Sequence, residues 1–129
     1  MSRLVMDALR PLHPVRVENA VHPGTPDINY VGGWIENKEV PSWPSSDRWH
    51  LRIPHFTVQQ RLWLRQRVMK GGRAHLLLKV ASEWLLLRGD VAADLIGESS
   101  PAQLRAAADL TWRTDDKDGW DRLLNLLRQ

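Results

Sequence analysis

Apolar residues recur at two different periods along this chain, and the switches between them mark its elements. Leu4, Val5, Ala8, Leu9 and Leu12 fall at helical spacing, so Ser2 to Leu12 predicts a short helix ended by Pro11 and Pro14. Val15 to Val21 reads as a first strand, and His22-Pro23-Gly24-Thr25-Pro26 as a loop. Asp27 to Val31 and Trp34 to Val40 then alternate as two strands about a tight Gly32-Gly33 turn, which predicts a hairpin. Pro41 to Pro54 is an irregular connection carrying Trp43 and Trp49. Thr57 opens a helix that runs to about Lys70 and stops at Gly71-Gly72, with Thr57 and Gln60 spaced for a capping box.

The pattern then changes to continuous apolar runs. Ala74 to Val80 and Glu83 to Arg88, around Ala81-Ser82, read as a second hairpin whose strands are covered on both faces. Asp90 is placed to cap a short helix, Val91 to Ile96, stopped by Gly97. Ser100-Pro101 opens another helix expected to reach about Trp112. After a charged turn from Thr114 to Gly119, Trp120, Leu123, Leu124 and Leu127 form one stripe of a final amphipathic helix, suited to the core or to a dimer contact. The expected architecture is α/β: a restriction-endonuclease-like core over residues 1–97, with a curved mixed central sheet flanked by helices. A helical C-terminal extension of the same domain covers 98–129.

Composition narrows the chemistry. At 129 residues the chain suits one domain. It has no cysteine, which excludes disulfides, thiolate metal sites and cysteine nucleophiles. No stretch is long and apolar enough to span a membrane, and the N-terminal segment, broken by Pro11 and carrying Asp7, makes a poor signal peptide. A cytoplasmic protein is the expectation. The net charge is only +3, yet no acidic residue occurs between Arg48 and Lys79. Arg48, Arg52, Arg61, Arg65 and Arg73 in that stretch are candidates for phosphate contacts along DNA. The alternative for the same residues is an ordinary solvated helix face. Asp115-Asp116-x-Asp118 lacks the glycine and terminal glutamate of a calcium loop.

The candidate chemistry lies on the first hairpin. Side chains alternate along a strand, so Glu36 and Lys38 share a face while Asn37 takes the other. Folding back brings Asp27 beside them. Two carboxylates offer hard oxygen ligands suited to Mg²⁺ or Mn²⁺, and an amine beside them can steady a phosphate or deprotonate water. His22 and His55 could assist a metal or a phosphate, but a loop histidine is more often an ordinary hydrogen-bonding residue.

Read in order, Arg16-Val17-Glu18-Asn19, Gly24-Thr25-Pro26-Asp27, Glu36-Asn37-Lys38 and Phe56 to Leu64 with Gln60 resemble the VRR-NUC (virus-type replication-repair nuclease) branch of the PD-(D/E)XK nuclease superfamily. The likeness covers roughly residues 16–89. It implies that Asp27 and Glu36 bind Mg²⁺ or Mn²⁺, with the main-chain carbonyl of Asn37 as a further ligand and Glu18 as an additional one. Lys38 becomes the catalytic lysine, and Gln60 the helix glutamine near the site. The implied activity is a metal-dependent DNA endonuclease, structure-selective on branched DNA such as Holliday junctions. Homodimers, and a phage or prophage origin with the host cytoplasm as compartment, are implied as well. Asn37 departs from the pattern, because the middle residue of the E-x-K motif is usually apolar. Four alternatives stay open: a sequence-specific nuclease, a nicking nuclease, a DNA-binding module without catalysis, and an interaction protein that uses the C-terminal stripe.

Overall fold

The structure is a computed structural model that describes residues 2–19 and 21–129. It is an α/β fold built on a six-stranded mixed sheet. Helix α1 (Ser2–Ala8) and a 3₁₀ turn (Arg10–Leu12) lead into β1 (Val15–Arg16), β2 (Ile28–Tyr30) and β3 (Gly33–Val40). Helix α2 (Val58–Met69) precedes β4 (Ala74–Val80) and β5 (Glu83–Arg88). Helices α3 (Gly89–Leu95) and α4 (Pro101–Ala107), strand β6 (Leu110–Arg113) and α5 (Lys117–Leu127) complete the chain. The strands lie side by side in chain order, and every pair is antiparallel except β3 with β4. A parallel pair needs a long crossover, and residues 41–73, including α2, supply it.

Helices cover both faces of the sheet. On one, Val40, Leu76, Leu78, Leu85 and Leu87 pack with Leu64 of α2, Ala92 of α3 and Leu104 of α4. On the other, Ile28, Ile35, Leu77 and Leu86 pack with Val5 and Leu9 of α1 and with Leu123 and Leu127 of α5. Coverage on both faces is why β4 and β5 carry unbroken leucine runs.

Several boundaries differ from expectation. The hairpin turns at Val31-Gly32, because Gly33 already pairs with Tyr30. The strand expected over Val15–Val21 is only Val15–Arg16; position 20 lies outside the described residues. Asp90 does not cap α3; its carboxylate pairs with Arg88, which occupies the N-cap position without a side-chain cap bond. The largest correction concerns the C-terminal segment. The helix expected to reach Trp112 ends at Ala107, and residues 110–113 form β6, with Trp112 opposite Trp84. The open edge of β5 presents backbone groups that need partners, and this outweighs the helical preference of the alanine-rich run.

The final helix starts at Lys117, earlier than the Trp120 expected, and its stripe is core. Leu123 and Leu127 are buried, Trp84 and Trp112 stack at 6.0 Å, and Trp120 meets both edge to face at 4.9 and 5.2 Å. A Cβ at Gly119 would run into the Trp112 ring, so only glycine lets α5 lie this close. The long loop after β3 is held to the body: Leu51 N–H donates to Ser99 O at 3.1 Å and Gly97 N–H to Leu51 O at 3.0 Å. Trp43 belongs to that anchoring, since its indole N–H donates to Glu83 at 2.9 Å and Arg105 stacks on its ring. Trp49 is exposed. Among the described residues no helix is long and apolar enough to cross a membrane.

Candidate active site at the first hairpin

Asp27 stands just outside β2, whose paired register ends at Ile28↔Ile35. Side-chain alternation sets it on the face of Glu36, and the two carboxyls come within reach of one another. The loop that delivers Asp27 is seated on the first turn of α2. Gly24, at φ +93°, touches the Gln59 carbonyl so closely that a Cβ would overlap it. That contact fixes the approach of Pro26-Asp27 to the sheet.

Glu36 is 2% exposed and Lys38 7% exposed, so both ionisable groups are withdrawn from water. The Lys38 ammonium donates to the His55 carbonyl at 2.8 Å and lies 3.8 Å from Glu36 Oε2. Burial, followed by the hydrogen bond and the charge of Asp27, pushes the Glu36 carboxyl up to about 9, against the pull of Lys38. Burial beside a second acid thus favours the protonated form of Glu36. Burial and the neighbouring Lys38 charge also keep the His55 imidazole below its ordinary value.

Asn37 serves with its backbone. Its N–H donates to Asp27 Oδ2 at 2.9 Å and locks that carboxylate against β3. A strand residue turns its N–H and C=O to the same edge, so the Asn37 carbonyl is directed to the edge that its N–H faces, the side where Asp27 stands. The Asn37 side chain points through the sheet to the opposite face, where neither its oxygen nor its nitrogen has a protein partner.

The donor set fits a hard divalent cation. It consists of the Asp27 carboxylate, the Glu36 carboxyl with its buried Oε1 unpartnered, and the Asn37 carbonyl, with no soft donor near. Among the described residues no three His, Asp or Glu side chains gather closely enough to hold a metal. Glu18 in particular is exposed and is not part of such a group, although Val17 beside it is tied to the Asp27 carbonyl at 2.7 Å. Water would fill the remaining positions.

Gln60 closes the capping box of α2 with Thr57, at 3.0 and 3.1 Å. The Gly24 contact keeps this turn beside the Asp27 loop, so capping and proximity coexist. The five arginines divide. Arg61 donates to the carbonyls of Ala93 and Ile96 and stacks on Phe56, Arg65 pairs with Asp94, and Arg73 donates to the carbonyls of Leu126 and Leu127. Arg61 and Arg65 thus tie α2 to α3, and Arg73 ties the start of β4 to the end of α5. Arg48 and Arg52 are exposed, and among the described residues neither has a carboxylate partner.

Three residues that the sequence reading passed over lie beside the site. Trp34 is two positions before Glu36 on the same face of β3, and its ring meets Trp63 of α2 edge to face at 5.3 Å. The Arg67 guanidinium lies 4.4 Å over Trp63. The i, i+4 spacing of Trp63 and Arg67 was the one signal available for them. No protein-family model, curated protein or solved structure matches this chain.

Proposed function

We propose that the protein is a divalent-metal-dependent nuclease that hydrolyses phosphodiester bonds in DNA. The observation that carries this reading is the meeting of Asp27, Glu36 and Lys38 on one face of the hairpin, with Glu36 and Lys38 buried beside the half-buried Asp27. A protein that needed only a fold would not bury an acid and a lysine there beside a second acid, because each costs desolvation free energy. The ordered motifs that resemble VRR-NUC nucleases support the same chemistry.

A bound Mg²⁺ or Mn²⁺ would supply an activated water and neutralise charge on the phosphate. Asp27 and Glu36, with the Asn37 carbonyl, would hold it, and Glu36 would give up its proton on binding. Asn37 N–H keeps the Asp27 carboxylate oriented. Lys38 is held in place by the His55 carbonyl and presents its charge beside Glu36, where it would steady a phosphate oxygen and orient the attacking water by donating to it. Arg48 and Arg52, exposed on the loop that carries His55, are the arginines placed to meet the DNA backbone. The resemblance extends the reading to branched DNA such as Holliday junctions, cut by a dimer that sets two sites on two strands.

The test is cleavage of linear, nicked, flapped and four-way-junction DNA in Mg²⁺ against EDTA. Wild-type protein should cut in Mg²⁺ only, and Lys38→Ala should be about 10²–10³-fold slower. Cutting that survives EDTA or is unchanged in Lys38→Ala would overturn the assignment. Equal cutting of all forms would remove the branched-DNA part alone.

A further inference from the structure

We propose that Trp34, Trp63 and Arg67 form a stacking subsite for one unpaired base of the DNA strand whose backbone enters the Asp27/Glu36/Lys38 site. The inference rests on the nuclease reading of that site and adds the class of DNA it takes.

Trp34 and Glu36 are alternate residues of one strand on one face, so the indole stands about 7 Å along β3 from the carboxyl. A cleft of about 530 Å³ opens there, lined by both indoles, Arg67 and the His22 and Thr25 side of the loop that delivers Asp27. Arg67 also walls two adjoining hollows, one running to Lys70 along α2 and one along the β2–β3 turn past Asn29. Among the described residues no carboxylate lines any of the three. The groove is therefore basic and aromatic, and the loop that leads into Asp27 forms one of its walls.

The two indoles differ from the others that pack into the body of the protein. Trp43, Trp84 and Trp120 each donate their N–H to a protein acceptor, and the Trp112 ring is buried with its N–H enclosed. Trp34 and Trp63 are half-buried, and among the described residues neither donates to one. Their rings pack on the edge of the core while their polar edges are left for a ligand. Aromatic faces bind any base, and Arg67, without an acidic partner, meets the phosphate that follows it. A base paired inside a duplex offers no free face, so the occupant is single-stranded or extruded.

The test uses the full chain in EDTA, so that binding is read without cleavage. The probe is an oligonucleotide carrying 2-aminopurine, whose fluorescence is quenched when it stacks. It is presented as a single strand, as the unpaired arm of a flap and within a blunt duplex. Quenching in the first two forms and not in the duplex is expected. Trp63→Ala should abolish it and weaken single-strand binding about 5- to 100-fold. Trp63→Phe, which keeps a ring should the alanine variant fail to fold, should retain most of it. Arg67→Gln should lower the dependence of log affinity on log salt by about 0.7. Equal binding of all three forms without quenching, or an unchanged Arg67→Gln, would overturn the subsite. Mg²⁺-dependent cutting without quenching would leave the nuclease reading standing and remove this one. Quenching without any cutting would do the reverse.

Discussion

Strands β3 and β4 lie parallel and in register, Glu36 beside Leu76 and Lys38 beside Leu78, yet the two are built on opposite terms. All four side chains are buried. The leucines release apolar surface from water and pack against Leu64 and Leu85, each contributing about 1.5–3 kcal/mol. The charged pair on β3 forgoes that gain, and β3 also carries Asn37 with an unpartnered amide and Glu36 with an unpartnered oxygen. Adjacent positions in one sheet thus show where the fold is stabilised and where stability is given up. The contrast marks β3, the strand of the proposed site, without reference to any other protein.

Truncating the apolar side of this comparison should have the largest effect on stability. Leu78→Ala should destabilise by about 2–5 kcal/mol, read from the denaturant midpoint. Glu36→Gln, at the neighbouring polar position, should instead unfold at a higher denaturant concentration near pH 8 while losing Mg²⁺-dependent cleavage by at least about 10²-fold. A Glu36→Gln protein as destabilised as Leu78→Ala would mean that Glu36 serves the core.

The same substitution sharpens the pH dependence. The Glu36 carboxyl is raised in the folded protein from 4.5 to about 9. Below pH 4.5 both folded and unfolded states hold the proton, and folding loses nothing. As pH rises through the window from 4.5 to 9, the unfolded chain releases the proton while the folded protein keeps it, so stability falls. Melting curves across that range should decline for wild-type protein in EDTA and decline less for Glu36→Gln. Saturating Mg²⁺ should flatten the wild-type decline, because the cation takes the place of the proton. A wild-type profile parallel to that of Glu36→Gln would show that the Glu36 carboxyl is not raised in the folded protein.

The smallest effect concerns Asn37. Its side chain has no partner on the face occupied by α1 and α5, so Asn37→Val should stabilise by about 1–3 kcal/mol. Because only its backbone touches Asp27, cleavage should persist. Loss of cleavage in Asn37→Val would assign the amide a part in the site.

Local pattern made most of the sheet legible. The Gly32-Gly33 signal and strict alternation set the first hairpin to within one residue, and the leucine runs gave β4 and β5 with their observed ends. The Thr57–Gln60 spacing gave the start of α2. The pairing of Asp27 with Glu36 and Lys38 followed from side-chain alternation across a fold-back. Strand β6 was not legible, because Pro101 to Trp112 is locally a good helix and what it pairs with is the distant edge of β5. The roles of Arg61, Arg65 and Arg73 were equally hidden, since a basic run looks alike whether its partners are phosphates or the carbonyl ends of other helices.

The chain alone thus determined the first hairpin, β4, β5 and the start of α2, which residues alternate onto one face and which three charged groups a hairpin would gather, because these depend on short-range periodicity and turn chemistry. Only the tertiary structure decided that Glu36 and Lys38 are buried, that the Asn37 N–H holds the Asp27 carboxylate, that Trp34 and Trp63 meet on the same face, that residues 110–113 form a strand, and that the C-terminal stripe belongs to the core. Burial and close approach depend on residues far apart in the chain, and no local pattern records them.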